Sequence, residues 1–204
     1  MIKLNLGCAS KLLDGYVNID QDNIDVMRER YKYIDFPEDA HIYTYDIFDL
    51  PYDDASVDEI IADGFVEHLS FLEESKFFYE MKRVLKPGGI LNFSVPNFEK
   101  VVKMWLEAED DWQDFFRLDD EAIATKHWFG THTYEPKNRW GYLTAQLYGS
   151  QNGEGQYHQN CYTIPKIKAI LTKVNFTDVV IEEFQWKGDR DPMIRAIAKR
   201  GQNG

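Results

Sequence analysis

The sequence predicts an α/β domain built on a mainly parallel sheet. Segments with the alternation of strands recur between segments with helical spacing, which is the pattern of parallel strands joined by helical crossovers. Glycine or aspartate follows four of the strand segments. Such strand ends meet at one edge of an open parallel sheet, where ligands bind. The 204 residues are enough for one well-buried core.

Seven segments have the composition and alternation of strands. They are residues 2–6, 17–20, 42–45, 57–62, 90–95, 179–184 and 193–198. Helices are predicted for residues 72–84, 98–106, 112–123, 142–147 and 164–174. Asn97 and Thr163 are the candidate N-caps of the second and last of these helices. The first helix is followed by Lys86-Pro87-Gly88-Gly89, which ends a helix and is assigned no chemical role.

The charge of the chain limits its partners. Asp and Glu outnumber Lys and Arg by 35 to 23, and the formal net charge is -12. Such a surface repels phosphate backbones and anionic lipids, so neither nucleic acid nor a membrane is expected as a partner. No apolar run reaches the roughly 18 residues that span a bilayer. The first residues lack the pattern of a signal peptide, and we expect a cytoplasmic protein.

Cysteine and histidine spacing gives no metal-binding motif. Cys8 and Cys161 are the two cysteines, and their separation matches neither a disulfide framework nor a zinc site. His127 and His132 are close in sequence, but no third ligand is spaced convincingly near them. The sequence therefore predicts no metal site.

Four residues lie at or just beyond predicted strand ends and are candidates for ligand binding. Gly7 lets the backbone approach a ligand closely, because glycine has no Cβ. Asp20 can accept hydrogen bonds from a ribose diol, and Asp46 can accept one from an adenine amino group. Asp63 follows the fourth strand segment. One acid alone at a strand end is a weak signal, whereas this series along one edge predicts a nucleoside-binding site.

The first 95 residues resemble the class I S-adenosylmethionine-dependent methyltransferases. The resemblance rests on five segments, which are Leu4-Asn5-Leu6-Gly7-Cys8, Tyr16-Val17-Asn18-Ile19-Asp20, Asp46-Ile47-Phe48-Asp49-Leu50-Pro51-Tyr52, Glu67-His68-Leu69 and Leu85-Lys86-Pro87-Gly88-Gly89. It implies a Rossmann-like, seven-stranded, mainly parallel sheet whose last strand is antiparallel. It also implies flanking helices and a helical and loop insertion after the fifth strand.

The resemblance implies S-adenosylmethionine as cofactor and assigns it a set of residues. Leu6, Gly7 and Cys8 would form the first loop, and Gly7 would lie against the methionine part. In the same way, Asp20 would bind the ribose, Asp46 with Ile47 the adenine, and Asp63 would lie near the methionyl end and the acceptor, with His68 close to the cofactor. Glu67 and His68 have a second interpretation, as the cap of the helix that follows.

The resemblance divides the single domain into three parts. Residues 1–96 form the cofactor-binding half, 97–162 the insertion with acceptor-side loops, and 163–200 the last helix and closing strands. Trp105, Trp112, Trp128 and Trp140 lie in the insertion, where they either line a sugar pocket or pack its core.

The first loop departs from the family pattern in two ways. Ala9 stands where a second glycine is usual, and it requires either a negative φ or some strain. Only residues 7–16 separate the first two strands, so the first helix has one or two turns or is absent. The shortened form is similar to a subgroup of small bacterial and phage-type methyltransferases that occur with glycan-modifying enzymes. Asp20 follows Gly7 by thirteen residues, against about twenty in a dinucleotide fingerprint, which argues against NAD.

Together these features predict a methyltransferase that acts on an oxygen or nitrogen of a small molecule or saccharide. In similar proteins a histidine of the second half lies beside the acceptor, and this makes His158 a candidate general base, because imidazole titrates near neutral pH. Asp63 is the other candidate for proton removal. The alternative is a non-catalytic S-adenosylmethionine-binding module with a regulatory or interaction role.

Overall fold

The computed structural model describes residues 1–108, 139–151, 155–186 and 191–202. Within these residues a six-stranded sheet has the order β2-β1-β3-β4-β6-β5. The strands are β1 (Lys3–Leu6), β2 (Val17–Ile19), β3 (Val57–Asp63), β4 (Leu85–Pro96), β5 (Phe176–Trp186) and β6 (Asp191–Arg200). The first four strands run parallel, and β6 pairs antiparallel with both β4 and β5. The predicted α/β class and the antiparallel last strand are confirmed.

The predicted strand at residues 42–45 does not form, so the described sheet has six strands and not seven. Tyr43 makes one parallel bridge to Ile19, with its N–H donating to the Asn18 carbonyl at 2.8 Å and its carbonyl accepting from Asp20 N–H at 3.0 Å. Since β2 has only three residues, it offers few backbone groups for a longer ladder. Ile42 is instead buried in a small apolar cluster below the first loop, with Cys8, Met27 and Phe36.

The helices follow the caps that the sequence offers. They are α1 (Ile24–Arg30), α2 (Phe71–Val84), α3 (Phe98–Glu107), α4 (Tyr142–Tyr148) and α5 (Ile164–Lys173). Asn97 and Thr163 cap α3 and α5 as predicted, each by accepting a backbone N–H three residues on. The sequence did not predict α1, which Asn23 caps through its side chain. The helix predicted for residues 112–123 lies outside the described residues.

The first loop contains no helix anywhere between β1 and β2, a stretch that the structure describes in full. Two buried or half-buried amides hold it instead. The Asn5 side chain donates to the Lys11 carbonyl and to Asn18 Oδ1, both at 2.8 Å, and Asn18 Oδ1 also accepts Leu13 N–H at 2.9 Å. Hydrogen bonds to two asparagines therefore replace the missing crossover helix.

The segment after β4 returns to the point where it left the sheet. Asn97 forms a parallel bridge with Tyr162, and Phe98 N–H donates to the Tyr162 carbonyl at 3.1 Å. Helices α3 and α4 lie in this segment, while residues 109–138 and 152–154 lie outside the description. The extent of the predicted insertion thus stays a prediction. No helix among the described residues is long and apolar enough to cross a membrane.

Candidate functional site

Two neighbouring cavities open at the carboxyl ends of the parallel strands. The first, which we call the strand-end cavity, has a volume of about 510 Å³, within the usual range of about 300–1,000 Å³ for ligand pockets. Its lining includes Gly7, Ala9, Asp20, Gln21, Met27, Arg30, Tyr45, Asp46, Ile47, Phe48, Gly64, Phe65, His68, Leu69, Glu73, Gly155, Gln156 and Gln159. Five of the residues that the sequence assigned to the cofactor are in this set.

Glycine is the only residue type that fits position 7, in the turn after β1. Its φ is +61°, and a Cβ at this position would lie 2.2 Å from a ring carbon of Phe65. Ala9, two residues on, also has a positive φ of 42°. Of the two conformations that the sequence allowed for Ala9, a negative φ or a strained one, the structure therefore shows the strained one. The close contact with Phe65 brings an aromatic side chain from the turn after β3 against the first loop.

Asp20 is built into the wall of the strand-end cavity by its neighbours. One carboxylate oxygen accepts Ala9 N–H at 2.8 Å and the other accepts Asp22 N–H at 3.3 Å. Burial raises the pKa of Asp20, and these backbone N–H groups only partly offset it. Because a carboxylate has about four lone-pair positions, Asp20 keeps acceptor capacity for a ligand hydroxyl.

The other predicted residues of the first loop do not reach the cavity with their side chains. Leu6 is fully buried in the main core. Cys8 packs beside Met27 and Phe36, and burial together with the charge of Asp20 raises the pKa of its thiol to about 12. Neither is among the lining residues described for the strand-end cavity, so any contact they make with a ligand is through the backbone.

The residues that the sequence assigned to the adenine directly follow the segment that was predicted to be a strand. Asp46 and Ile47 line the cavity, and Asp46 accepts Phe48 N–H at 2.8 Å, which fixes a turn. Tyr45, which the sequence did not single out, also lines the cavity and stacks on Tyr43 with ring centres 5.1 Å apart. The sequence feature that could have indicated this aromatic wall is Tyr43-Thr44-Tyr45, in which tyrosines alternate with a threonine.

The chemistry of the strand-end cavity fits S-adenosylmethionine. Three acids line it, Asp20, Asp46 and Glu73, against one base, Arg30. The Arg30 guanidinium is already paired with Asp22 at 2.6 Å. The lining thus has an excess of negative charge, which suits a cationic sulfonium, and it combines acceptors for hydroxyl groups with apolar faces for an aromatic base.

The second cavity has a volume of about 780 Å³. Its lining includes Arg30, Tyr31, Tyr33, Gly64, Glu67, His68, Pro96, Ala145, Gln146, Ser150, Gln156, His158, Trp186, Asp191 and Met193. Arg30, Gly64, His68 and Gln156 line both cavities. The two spaces are therefore adjacent, with His68 in their common wall.

Asp63 is held away from both cavities. Its carboxylate pairs with Lys11 Nζ at 2.6 Å and accepts a hydrogen bond from the Ser94 hydroxyl. Burial would raise its pKa, but Lys11 and Ser94 outweigh burial and the pKa falls below the ordinary value. Asp63 does not appear among the described residues that line either cavity. The structure thus shows Asp63 in an ion pair with Lys11, and its predicted part in cofactor binding and catalysis stays a prediction.

His68 and His158 lie in edge contact with each other in the wall of the second cavity. Their ring centres are 4.9 Å apart with an interplanar angle of 77°. Nδ1 of His68 lies 3.0 Å from the Tyr157 carbonyl, and Nδ1 of His158 lies 3.0 Å from the Gln146 carbonyl. Burial lowers both pKa values, that of His158 to about 4 with His68 as a further cause. Both rings are therefore neutral at pH 7, with Nδ1–H donating and Nε2 unprotonated.

Glu67 lies directly before His68 in a 3-10 turn (Val66–His68) and is 4% exposed. Burial raises its pKa to about 8. Within the described part of the chain, its Oε2 is a buried side-chain atom without a hydrogen-bond partner. The interpretation of Glu67 and His68 as a helix cap is wrong, because Ser70 and Glu73 form the capping box of α2.

Comparison with known proteins agrees with the site. Residues 7–93 match the family model described as a methyltransferase domain. A protein of Mycolicibacterium smegmatis, named as a probable S-adenosylmethionine-dependent methyltransferase, is 35% identical over 83 residues. That alignment covers 40% of this chain, and the chain spans 29% of that relative.

Solved structures share the fold at low sequence identity. A SAM-dependent methyltransferase of Methanosarcina mazei superposes with a TM-score of 0.56 at 16% identity, over 98% of this chain and 92% of the other. The 1,6-didemethyltoxoflavin-N1-methyltransferase of Burkholderia thailandensis, solved with 1,6-didemethyltoxoflavin and S-adenosylhomocysteine, gives a TM-score of 0.58 at 13% identity, over 98% and 71%. Residues 7–93 are thus similar to the methyltransferase domain family and to an S-adenosylmethionine-dependent relative, and the described chain has the fold of the methyltransferases of known structure.

Proposed function

We propose that this protein transfers a methyl group from S-adenosylmethionine to an oxygen or nitrogen of a small molecule or saccharide. The observation that carries the proposal is the pair of adjacent cavities with a common wall at Gly64, His68 and Gln156. One cavity has the chemistry of a cofactor site, and the other offers separate space for an acceptor. A methyl group has to pass between two ligands in contact, so adjacency is what the reaction requires.

The strand-end cavity holds the cofactor in this proposal. Asp20 accepts hydrogen bonds from the ribose hydroxyls, Asp46 and Ile47 contact the adenine, and the turn at Gly7 faces the methionine part. The sulfonium supplies an already activated methyl group, so the protein has to bind, align and exclude water. Asp63 contributes indirectly, because its ion pair with Lys11 fixes the first loop against β3.

The second cavity holds the acceptor, with His68 and His158 beside the reacting atom. His158 remains the candidate for the group that contacts the acceptor proton, because its unprotonated Nε2 is an acceptor. A base of pKa about 4 is weak, however, and proton transfer to it from an alcohol is uphill. We therefore assign His158 to orienting the acceptor, and expect an amine or an acidic hydroxyl to be the easier acceptor.

The charge of the chain favours an acceptor that is not a polyanion. Net charge -12 disfavours nucleic acid, and Tyr31, Tyr33 and Trp186 give the second cavity the aromatic faces that suit a sugar ring or an aromatic metabolite. A saccharide or a small aromatic compound is thus the first class to test.

Calorimetric titration of the full chain with S-adenosylhomocysteine tests the cofactor part. We expect Asp20→Ala to weaken binding at least tenfold, since a hydrogen bond to a charged group is worth about 1.5–3 kcal/mol. Asp14→Ala is the matched control, because Asp14 is an exposed acid of the same loop. Equal affinities in all three proteins would contradict the proposed cofactor site.

Turnover is tested with S-adenosylmethionine and a panel of monosaccharides, phenols and amines, with mass spectrometry of the products. Methylation of a member of the panel supports the proposal. Cofactor binding with no methylated product in any class would contradict methyl transfer and favour the non-catalytic binding module.

A further inference from the structure

Three potential metal ligands converge on the wall of the second cavity. One ligand atom from each of Glu67, His68 and His158 lies within 4.8 Å of those of the other two. All three residues line that cavity. The descriptions of the family and of the relatives name no metal, and no local motif marks this place because His68 and His158 lie 90 positions apart in the sequence.

Backbone hydrogen bonds hold the two contributing segments together. The Glu67 carbonyl accepts the N–H groups of Gln159 and Asn160 at 2.9 and 3.1 Å. The Gln159 side-chain amide also donates to the His68 carbonyl at 2.9 Å. The turn after β3 and the segment that carries His158 are thus fixed to each other, and the cluster does not depend on a chance approach of long side chains.

Both imidazoles are oriented as metal-binding histidines are. Ligating histidines almost always donate their other ring N–H to a carbonyl or carboxylate, which fixes the tautomer. Here each Nδ1 lies 3.0 Å from a backbone carbonyl, that of Tyr157 for His68 and that of Gln146 for His158. The nitrogen left for a cation is therefore Nε2 on each ring.

Glu67 supplies the independent observation. Its Oε2 is buried and without a hydrogen-bond partner in the described residues, although buried polar atoms are nearly always paired. Leaving such an atom unpaired costs about 1–3 kcal/mol, and a cation beside it would remove that cost. The carboxylate that carries this oxygen belongs to the same cluster as the two oriented imidazoles.

From these contacts we infer that Glu67, His68 and His158 form a binding site for a divalent metal ion of the zinc class. Two imidazoles and one carboxylate are a known zinc ligand set, and three protein ligands leave an open position for a further ligand. That position faces the second cavity. Bonds of about 2.0–2.2 Å place two ligands of a tetrahedral ion about 3.3–3.6 Å apart, so ligand atoms within 4.8 Å of one another have to close by at most about 1.5 Å around it.

The role of the ion rests on the proposed function, whereas its binding does not. An ion at this place would coordinate a hydroxyl of the acceptor and lower the pKa of that hydroxyl. The ion, and not the weakly basic His158, would then be the group in contact with the acceptor. The inference therefore favours hydroxyl acceptors that are otherwise too weakly acidic for this site.

The test is metal analysis of the full chain after removal of bound metals with a chelator and dialysis against zinc chloride. We expect about one zinc per chain in the wild type. His68→Ala and His158→Ala should each lower zinc affinity at least tenfold, because second-shell changes alone cost about 10–100-fold. His41→Ala is the control, since His41 is an exposed histidine outside the cluster, and it should bind zinc as the wild type does.

Cobalt(II) substitution gives a second readout that does not depend on activity. Visible absorption of the cobalt protein should indicate nitrogen and oxygen ligands and change in the two histidine variants. Glu67→Gln keeps the size of the side chain and replaces one ligand oxygen by an amide, and it should weaken zinc without loss of folding as judged by circular dichroism.

The inference is overturned if the wild type binds no zinc, or if His68→Ala and His158→Ala bind as much as the wild type. Titration with S-adenosylhomocysteine on the same preparations separates the two proposals. Loss of cofactor binding with normal zinc binding contradicts the proposed function alone, and the reverse result contradicts the metal site alone.

Discussion

The strand-end cavity and the second cavity are neighbours, yet they are built in different ways. The first takes most of its chemistry from residues that directly follow β1, β2 and the Tyr43 bridge, at positions that the sheet itself brings together. The second extends from Arg30 to Met193 and includes residues of α4 and of the adjoining ends of β5 and β6, which do not line the first. The proposed cofactor site is thus built mainly at the edge of the parallel sheet, and the proposed acceptor site also needs the segments added around it.

This difference explains why variants in the two regions should separate binding of the cofactor from use of the acceptor. Changes at strand ends should affect cofactor affinity and, where the backbone is constrained, stability. Changes at residues that line the second cavity and not the first should affect the acceptor alone. The predictions below test that separation in order of decreasing effect.

Gly7→Ala should have the largest effect, on stability as well as on cofactor binding. The new Cβ would lie 2.2 Å from Phe65 at a φ of +61°. A left-handed backbone costs about 1–2 kcal/mol and overpacking about 1–3 kcal/mol, so we expect a loss of about 2–5 kcal/mol in the free energy of unfolding. Urea denaturation measures it.

The matched control for this variant is Gly15→Ala in the same loop. Gly15 has a φ of +77°, but a Cβ there meets nothing within 4 Å, so only the backbone cost remains. Equal losses for the two variants would show that Phe65 does not restrict the loop.

Asp20→Asn should act on the cofactor with little effect on folding. A neutral amide cannot accept as strongly as a carboxylate, and a loss of about 1.5–3 kcal/mol in binding corresponds to roughly 10–100-fold weaker S-adenosylhomocysteine. Since burial raises the pKa of Asp20, wild-type binding should weaken as the pH falls, beginning above the ordinary range of an aspartate. The charged and titratable neighbours are Cys8, Asp22, Arg30, Tyr31 and His68.

Calorimetric titration from pH 8 down to the acid limit of folding measures this dependence. The weakening at low pH should be absent in Asp20→Asn, which cannot titrate. A variant that keeps the same pH dependence would assign it to another group and remove Asp20 from the ribose site.

The sequence predicted the first region well and the second region hardly at all. Gly7, Asp20 and Asp46 were found because each follows a segment of recognisable strand pattern, and the parallel sheet converts that order into proximity. Tyr45 and Phe65 were missed, since nothing local marks an aromatic residue as part of a wall. Residues 42–45 were assigned to a strand because of their alternation. Alternation does not show that the neighbouring strand β2 has only three residues and so offers few backbone groups for pairing.

The acceptor side shows the physical limit more sharply. His158 was singled out, but its partners Glu67 and Gln146 come from the turn after β3 and from α4, and only folding brings them together. His127 and His132 were the histidines compared for metal binding, and they lie outside the described residues. Asp63 was assigned to catalysis by its position at a strand end, whereas the ion pair with Lys11 across 52 residues could not be anticipated from sequence.

Trp186→Ala tests the second region. Trp186 ends β5 and lines the second cavity without lining the first. Removal of an aromatic face from a binding site costs about 0.5–1.5 kcal/mol beyond area burial, so we expect kcat/KM for the acceptor to fall severalfold to tenfold while the affinity for S-adenosylhomocysteine is unchanged. Val180→Ala, an exposed change on the same strand, is the control. Weaker cofactor binding in Trp186→Ala would show that the two cavities do not act separately.

Lys11→Ala should have the smallest effect. It tests whether Asp63 takes part in methyl transfer or only stabilises the fold. The Lys11 side chain is 61% exposed and that of Asp63 14%, so after allowance for solvent screening the pair contributes about 0.5–1 kcal/mol. The folded-state pKa of Asp63 is lowered, so this contribution is present above the ordinary aspartate pKa and is lost as the pH falls through the lower, folded-state value. Urea denaturation at neutral and acid pH should therefore show a small difference from wild type that disappears in acid. If Lys11→Ala instead abolishes methyl transfer while stability stays unchanged, Asp63 acts directly on the ligands, and the separation between the sheet edge and the acceptor side does not hold.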